Sequence, residues 1–306
     1  VTYNVLPVLA WTPLTGVVGD LLNHTLQSAL ALPRAFGNNT DQRFDYLHKA
    51  TILTPTQQDY YQIQSPSAPA GTTFVMHALA WELDVNGLHP VIHVFDAQNN
   101  PVPVDVLGNM DGLYSLQIAG VSPNSTYKIE IAALNPNGAN STGNYEMGVK
   151  FSLDAPVALA LLASNTLTSA TSTATGTMTM NENGLFHFVL ASDNGDSSAS
   201  AGVTMTVYDG QGNVVLSLSS LAGQPPATAV VYLTAGTYSI TYTATGSSGT
   251  STPLNYWLFG EILSDPIGAY QSDTTNTPTS GSSGGGYTYT GGSNSNNTTG
   301  SPPRTY

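Results

Sequence analysis

From residue 51 onward the chain repeats one pattern: short runs in which apolar and polar residues alternate, separated by clusters of Gly, Pro, Asn and Asp. Strict alternation marks a strand with one buried face, because successive strand side chains point to opposite sides. In Tyr127-Lys128-Ile129-Glu130-Ile131 the odd positions are expected to face a core and the even ones solvent, and Tyr145 to Phe151 repeats this. Tyr60 to Ile63, Thr73 to Trp81, Pro90 to Phe95 and Leu113 to Ile118 add further strands, enough over 51–153 for a sandwich or barrel. Residues 154–263 do the same with less charge, in Leu185 to Leu190, Val203 to Tyr208, Asn213 to Leu218, Ala229 to Leu233, Tyr238 to Tyr242 and Asn255 to Ile262.

The two flanks differ from this middle. Residues 1–50 join an extended apolar piece, Val1 to Trp11, to a stretch where Leu22, Leu26, Ala29 and Leu30 recur at helical spacing, predicting one short helix ended at Pro33. Residues 264–306 are dominated by Ser, Thr, Gly, Asn and Pro. From Gln271 on, Tyr287, Tyr289 and Tyr306 are the large side chains, too few for such a segment to order itself. The expected fold is all-β: an extended leader (1–50), a first β-sandwich (51–153), a second (154–263) and a low-complexity tail (264–306).

Ordered landmarks tie the two strand sets together as a tandem repeat. Asp59 to Ile63, Val94 to Asn100 and Ser125 to Ile129 in the first set are matched to Asn183 to Phe188, Val207 to Asn213 and Ala235 to Ile240 in the second. The step from Asp96 to Tyr127 is 31 positions and that from Asp209 to Tyr238 is 29, so register is kept. The Asp-led segments Asp96 to Asn100 and Asp209 to Asn213 are turn chemistry, rich in residues that tolerate left-handed backbone angles.

These landmarks resemble the bacterial pre-peptidase C-terminal domain. The similarity lies in Asp59–Tyr61, Ala70–Thr73, Val94–Asn100 and Gly143–Tyr145, then in Val207–Asn213 with Ala235–Tyr238. It covers roughly 23–153 and, more loosely, 165–263. The leader Asn23 to Leu30 is similar to the stretch that often precedes such domains. The resemblance implies jelly-roll-like β-sandwiches in an exported bacterial protein, appended to enzymes or surface proteins and themselves non-catalytic.

Composition narrows the function more by exclusion than by motif. Only 8% of residues are charged, and six Lys plus Arg against nineteen Asp plus Glu give a formal charge of −13, so the footprint of nucleic-acid binding is missing. Between Lys150 and Arg304 there is no Lys or Arg at all, which excludes phosphate-binding lysines from that half. The chain has no cysteine, so thiolate metal sites, thiol catalysis and disulfides are absent. No apolar run approaches the roughly 20 residues of a membrane-spanning helix. Opening on Val1, the chain reads as processed or excerpted, with any export signal already gone.

Candidate chemistry is sparse. His89, His93 and His77 form the densest histidine group, yet strand residues four apart lie about 13 Å apart, too far for one metal ion. No nucleophile elbow or paired-carboxylate pattern marks the chain as an enzyme. No cofactor is expected except calcium, for which oxygen-rich loops at Asp41 to Asp45 and Asp193 to Asp196 are candidates. The resemblance adds Asp59 near the first opening strand, so the metal candidates are Asp59, Asp193 and Asp196. Trp81, Trp257, Tyr60 and Tyr256 are candidates for a glycan platform. Asn23, Asn38, Asn124, Asn140, Asn296 and Asn297 each open an Asn-x-Ser/Thr triplet, the acceptor pattern for N-linked sugar.

The expectation is a non-catalytic structural protein of an extracellular or cell-surface bacterial assembly, a filament, fibre or surface layer. Its partners would be further copies of itself or a neighbouring surface protein, with no nucleic acid and no membrane span. Edge strands are usually guarded by charge, and the second strand set has almost none. Val5, Val8, Leu9 and Trp11 of the leader and Tyr287 and Tyr289 of the tail are the interface candidates. The alternative is a ligand-binding accessory module, for a glycan or a matrix protein, of a larger secreted hydrolase or adhesin.

Overall fold

The computed structural model describes residues 22–34, 44–110, 112–195, 201–246, 253–263 and 287–291. Most of them lie in strands. The first half holds β1 (Leu30–Ala31), β2 (Tyr46–Ile52), β3 (Gln58–Gln64), β4 (Phe74–Glu82), β5 (Pro90–Asp96), β6 (Asp105–Met110), β7 (Leu113–Val121), β8 (Thr126–Ala133) and β9 (Gly143–Ser152). They form two sheets, ordered β1-β3-β8-β5 and β2-β9-β4-β7-β6. One core of buried side chains, among them Ile63, Met76, Ile129, Ile131 and Tyr145, fills the space between them.

The second half holds β10 (Ala160–Leu167), β11 (Thr173–Met180), β12 (Gly184–Asp193), β13 (Gly202–Tyr208), β14 (Val214–Leu221), β15 (Ala227–Leu233), β16 (Gly236–Thr245), β17 (Leu254–Leu263) and β18 (Tyr287–Gly291). Its sheets are ordered β10-β17-β12-β15 and β14-β13-β16-β11-β18. A separate core forms around Phe186, Phe188, Met178, Met205 and Tyr256. The fold is therefore all-β and sandwich-like. No helix among the described residues is long and apolar enough to cross a membrane.

Counting eight strands from β2 and eight from β10 gives the same connectivity with one exception. In both halves strands 1, 8, 3 and 6 share one sheet, and strands 2, 7 and 4 share the other. The fifth strand differs: β6 pairs with β7, whereas its counterpart β14 pairs with β13 in the opposite sheet. The turn before this fifth strand is the same in both halves. Asp96 Oδ1 accepts the backbone N–H groups of Gln98 and Asn100, both at 2.8 Å, and Oδ2 accepts the Asn100 amide at 3.0 Å. Asp209 Oδ1 accepts from Gln211 at 2.9 Å and Asn213 at 2.8 Å, and its Oδ2 accepts the Asn213 amide at 3.0 Å. The left-handed position falls on Asn99 (φ 66°) and Gly212 (φ 85°), residue types that adopt it at low cost.

Several expectations need correction. The landmark match at Val94–Asn100 and Val207–Asn213 joins corresponding strands, but Asp59–Ile63 lies in β3 and Asn183–Phe188 opens β12, the counterpart of β4. The true counterpart of β3 is β11. Among the described residues the expected short helix becomes a 3₁₀ turn at Leu26–Ser28, capped reciprocally by Thr25 and Ser28. The chain then enters β1, which pairs parallel to β3 through Leu30↔Tyr61 and Ala31↔Gln62. The first sandwich thus takes in β1 and residues 46–50 of β2, which lie within the expected leader. Glu130, expected to face solvent, is only 5% exposed, because Tyr60 and His93 on the flanking strands stand opposite it on the outer face of the sheet.

Candidate functional site

Three arrangements concentrate the polar and edge chemistry of the molecule: an internal carboxylate, a seam between the two halves, and the free edges of the second half.

Asp59 on β3 is fully buried. Its Oδ2 accepts the Tyr145 hydroxyl at 2.8 Å, and Tyr145 in turn accepts the Tyr61 hydroxyl at 2.7 Å. Its Oδ1 accepts the Gln57 amide at 2.8 Å and lies 3.2 Å from His24 Nδ1. Burial, then the neighbouring Tyr61 and Asp59, hold the Tyr145 phenol well above its ordinary range, so this network keeps its protons. These partners use both carboxylate oxygens to tie the leader, β3 and β9 together. Asp59 is therefore structural rather than an open calcium ligand. Asp193 makes a local turn, accepting the Gly195 N–H at 2.9 Å, and Asp196 lies outside the described residues. Among the described residues no three His, Asp or Glu side chains are grouped to hold a metal ion, and His77, His89 and His93 do not converge.

The seam follows from the one topological difference. β6, at the edge of its sheet, packs against β15 of the second half. The Asn109 backbone N–H donates to Thr228 Oγ1 at 2.7 Å, and its side-chain amide donates to the Pro226 carbonyl at 3.0 Å. Gln117 on β7 pairs in both directions with the linker residue Val157, donating to its carbonyl at 2.7 Å and accepting its N–H at 2.9 Å. Leu107 is buried but belongs to neither core. His187 on β12 is fully buried beneath the seam. Burial pushes its imidazole down to about 4, with a hydrogen bond to the Leu107 backbone acting in the opposite direction.

Beside the seam runs a groove of about 630 Å³, lined by His89, Asn109, Asn135, Asn137, Ser219 and Gln224 among others. A second recess of about 320 Å³ shares Gln224 and Pro225 with it and reaches Glu130 and His93. There Glu130 Oε1 accepts the Gln58 amide at 3.0 Å and lies 3.4 Å from His93 Nδ1. Neither Trp81 nor Trp257 lines either recess. Trp81 stacks on Phe44 at 6.0 Å, and Tyr60 and Tyr256 are buried, so the four aromatics do not form one platform.

Among the described strands of the second half four are paired on one side only. β14 pairs with β13, β10 with β17, β18 with β11, and β15, which packs against β6, with β12. β14 and β10 contain no charged residue, and Val214 and Leu221 are 58% and 48% exposed. β18 places residues of the tail in the sheet: the Tyr289 hydroxyl lies 3.0 Å from that of Tyr242, and Thr177 Oγ1 donates to the Thr290 carbonyl at 3.0 Å. Tyr289 is thus packed against the core of its own half. Val5, Val8, Leu9 and Trp11 lie outside the described residues, and Tyr287 is described only as part of the β18 backbone.

Of the glycosylation candidates, Asn23 is a correction: it is buried, and its amide donates to the Tyr60 carbonyl at 3.2 Å, so no sugar fits there. Asn124 is exposed in a turn with φ 55°, whereas the half-buried Asn140 holds His89 Nε2 at 2.7 Å. Asn38, Asn296 and Asn297 lie outside the described residues. The sequence reading missed His187, the Gln117 clamp and the β11–β18 pairing. Only His187 carried a signal, as the one polar side chain with a titratable ring in the apolar run Leu185 to Leu190.

No family model matches this chain, and no curated protein matches it. Among solved structures it is similar to a crystal structure described as a "putative secreted protein" from Eubacterium rectale. The two share 10% sequence identity at a TM-score of 0.29, over 79% of this chain and 81% of that one, a similarity at which no function passes from one to the other.

Proposed function

We propose that this protein is a non-catalytic structural component of an extracellular or cell-surface bacterial assembly, its copies joined through β-edges and terminal segments. The observation that carries this reading is the unguarded edges of the second half. An edge strand presents unpaired N–H and C=O groups to any passing strand, and proteins that must stay monomeric blunt it with Lys, Pro or bulges. The edges of the first half follow that rule: β2 carries Lys49, and β5 begins at Pro90 and ends at Asp96. β14, eight residues of Val, Leu and Ser, carries no Lys, no Pro and no other charge, and its one shift in register against β13 is confined to its start, at Val215. The landmarks resembling pre-peptidase C-terminal domains support an exported protein of this kind.

The test is light scattering on the eluting native chain, followed by electron microscopy. Large regular particles are expected, and Val214→Lys with Ser217→Lys should dissolve them without unfolding the chain. A monomer of 31.9 kDa at every concentration would refute the proposal.

The groove beside the seam favours one second reading, a glycan-binding accessory module. Its hydrogen-bonding lining from Asn109, Asn135, Asn137 and Gln224 suits the hydroxyls of a neutral sugar. Saturable binding by a monomer, weakened in Gln224→Ala but not in Trp81→Ala or Trp257→Ala, would replace assembly with this function.

A further inference from the structure

The two halves cover the same edge in different ways. In the first, β3 is flanked by β1, which arrives from the residues just before the sandwich. In the second, the corresponding edge of β11 is flanked by β18, which arrives from the tail. Pairing is antiparallel and continuous over five positions, from Gly176↔Gly291 to Met180↔Tyr287.

Side chains make this edge a fitted slot. A Cβ on Gly176 would run into the hydroxyl of Tyr289, so the glycine leaves the space that the tyrosine occupies. From there the ring reaches Tyr242, itself stacked on Tyr256 at 4.4 Å. Thr177 and Thr290 face each other with hydroxyl oxygens 2.6 Å apart. No Lys, Arg, Asp or Glu lies in either β11 or β18 to repel a strand of the same sequence.

The connection to β18 is far longer than the crossing requires. The other passages between the two sheets of this half use from two residues, β15 to β16, to eight, β12 to β13 and β16 to β17. Twenty-three residues, 264–286, separate β17 from β18. A chain of twenty-three residues can span up to ~75 Å. It reaches a neighbouring molecule as readily as its own sheet.

We propose that β11 is an acceptor slot for the Tyr287–Gly291 strand of a second copy of this chain, and that copies link by exchanging β18. This rests on the assembly reading above and adds a second joint to that at the β14 edge, both being needed for the particles. The contacts made in exchange are those made within one chain, so what decides between them is concentration. A linker of this length holds its own strand at an effective concentration in the millimolar range. Exchange therefore takes over where chains are crowded to that level, as in a surface layer or fibre. Because each copy both gives and accepts, exchange with two different neighbours propagates head to tail, whereas reciprocal exchange between two copies closes a dimer; the first is the heterologous geometry that builds chains.

The absence of native cysteine allows a direct test. Full-length Thr177→Cys and Thr290→Cys proteins are mixed under assembly conditions and oxidised. An interchain disulfide between the two variants is expected, because these positions oppose each other only when β18 of one copy lies on β11 of the other. Thr173→Cys mixed with Thr290→Cys, out of register, should stay unlinked. The double variant Thr177→Cys/Thr290→Cys should give a ladder of linked multimers when crowded and an intrachain bond when dilute. Gly176→Val should abolish both the ladder and the particles while leaving the β-sheet circular dichroism in place. Particles without any interchain bond would overturn the exchange and leave assembly through other edges standing. A permanent monomer with only the intrachain bond would overturn both.

Discussion

The buried histidine of the seam leads to a quantitative expectation about acid. His187 has an ordinary value of 6.5 that burial lowers to about 4 in the folded chain. The unfolded chain therefore binds the proton more readily, and folding stability falls as pH drops. The loss begins near pH 6.5 and is complete near pH 4. At about 1.4 kcal/mol per tenfold difference in proton affinity, it amounts to about 3 kcal/mol. His187→Gln keeps a donor for the Leu107 carbonyl but cannot titrate, so the variant should lose this dependence. Glu261, which stands opposite His187 on β17, acts in the other direction: burial raises its carboxyl, so acid favours its folded form. Urea titrations at pH 7, 5.5 and 4 on the native chain and the variant, each also carrying Glu261→Gln, isolate the histidine. Tryptophan emission is the signal, with Trp11 and Trp81 replaced by Phe so that Trp257, paired with Ala191 in the same sheet, reports. The stability difference between chain and variant should change by about 3 kcal/mol across this range. A constant difference from pH 7 to pH 4 would show that His187 is hydrated in the folded protein, and that the seam is open.

Three further outcomes test other parts of the structure. Asp59→Asn should lower stability by about 1–3 kcal/mol, since one carboxylate oxygen becomes a donor facing either Tyr145 at Oδ2 or Gln57 at Oδ1, themselves donors. In thermal melts its effect should add less than fully to that of Tyr145→Phe, because they share a hydrogen bond. Asp96→Ala and Asp209→Ala should depress the melting temperature by similar amounts. Both effects should fade as pH falls through the carboxylate range, because the side-chain amides of Asn100 and Asn213 hold these groups below their ordinary values. Asn109→Ala, which removes a bond to the Pro226 carbonyl, should speed amide hydrogen exchange along β15 while leaving β4 and β9 protected.

What could be read from sequence depended on whether the determining partner was local. Strands such as β8, β12 and β17 carry bulky apolar residues on one face, and period-two alternation exposes them without knowledge of any neighbour. β11 alternates as well, but its buried face is Ala174, Gly176, Met178 and Met180 against threonines, too small and too polar to stand out. Its glycine makes sense only once Tyr289 is known to lie above it. Glu130 occupies an outward position, as the alternation says, yet His93 and Tyr60 from strands 37 and 70 residues away stand beside it. Asn23 carries an intact sugar-acceptor triplet and is nonetheless sealed by Tyr60. The Asp-led turns were legible because their bonds close within five residues. The seam was not, because it arises from which neighbour a fifth strand selects.

That selection gives the molecule a direction. Had β6 and β14 taken the same partner, the two halves would present equivalent flanks to one another. With β6 committed to the sheet of β7 and β14 to that of β13, one half supplies the strand that lies across its neighbour and the other supplies the face that receives it. In the assembly proposed above, a string of such molecules would present one half at its head and the other at its tail.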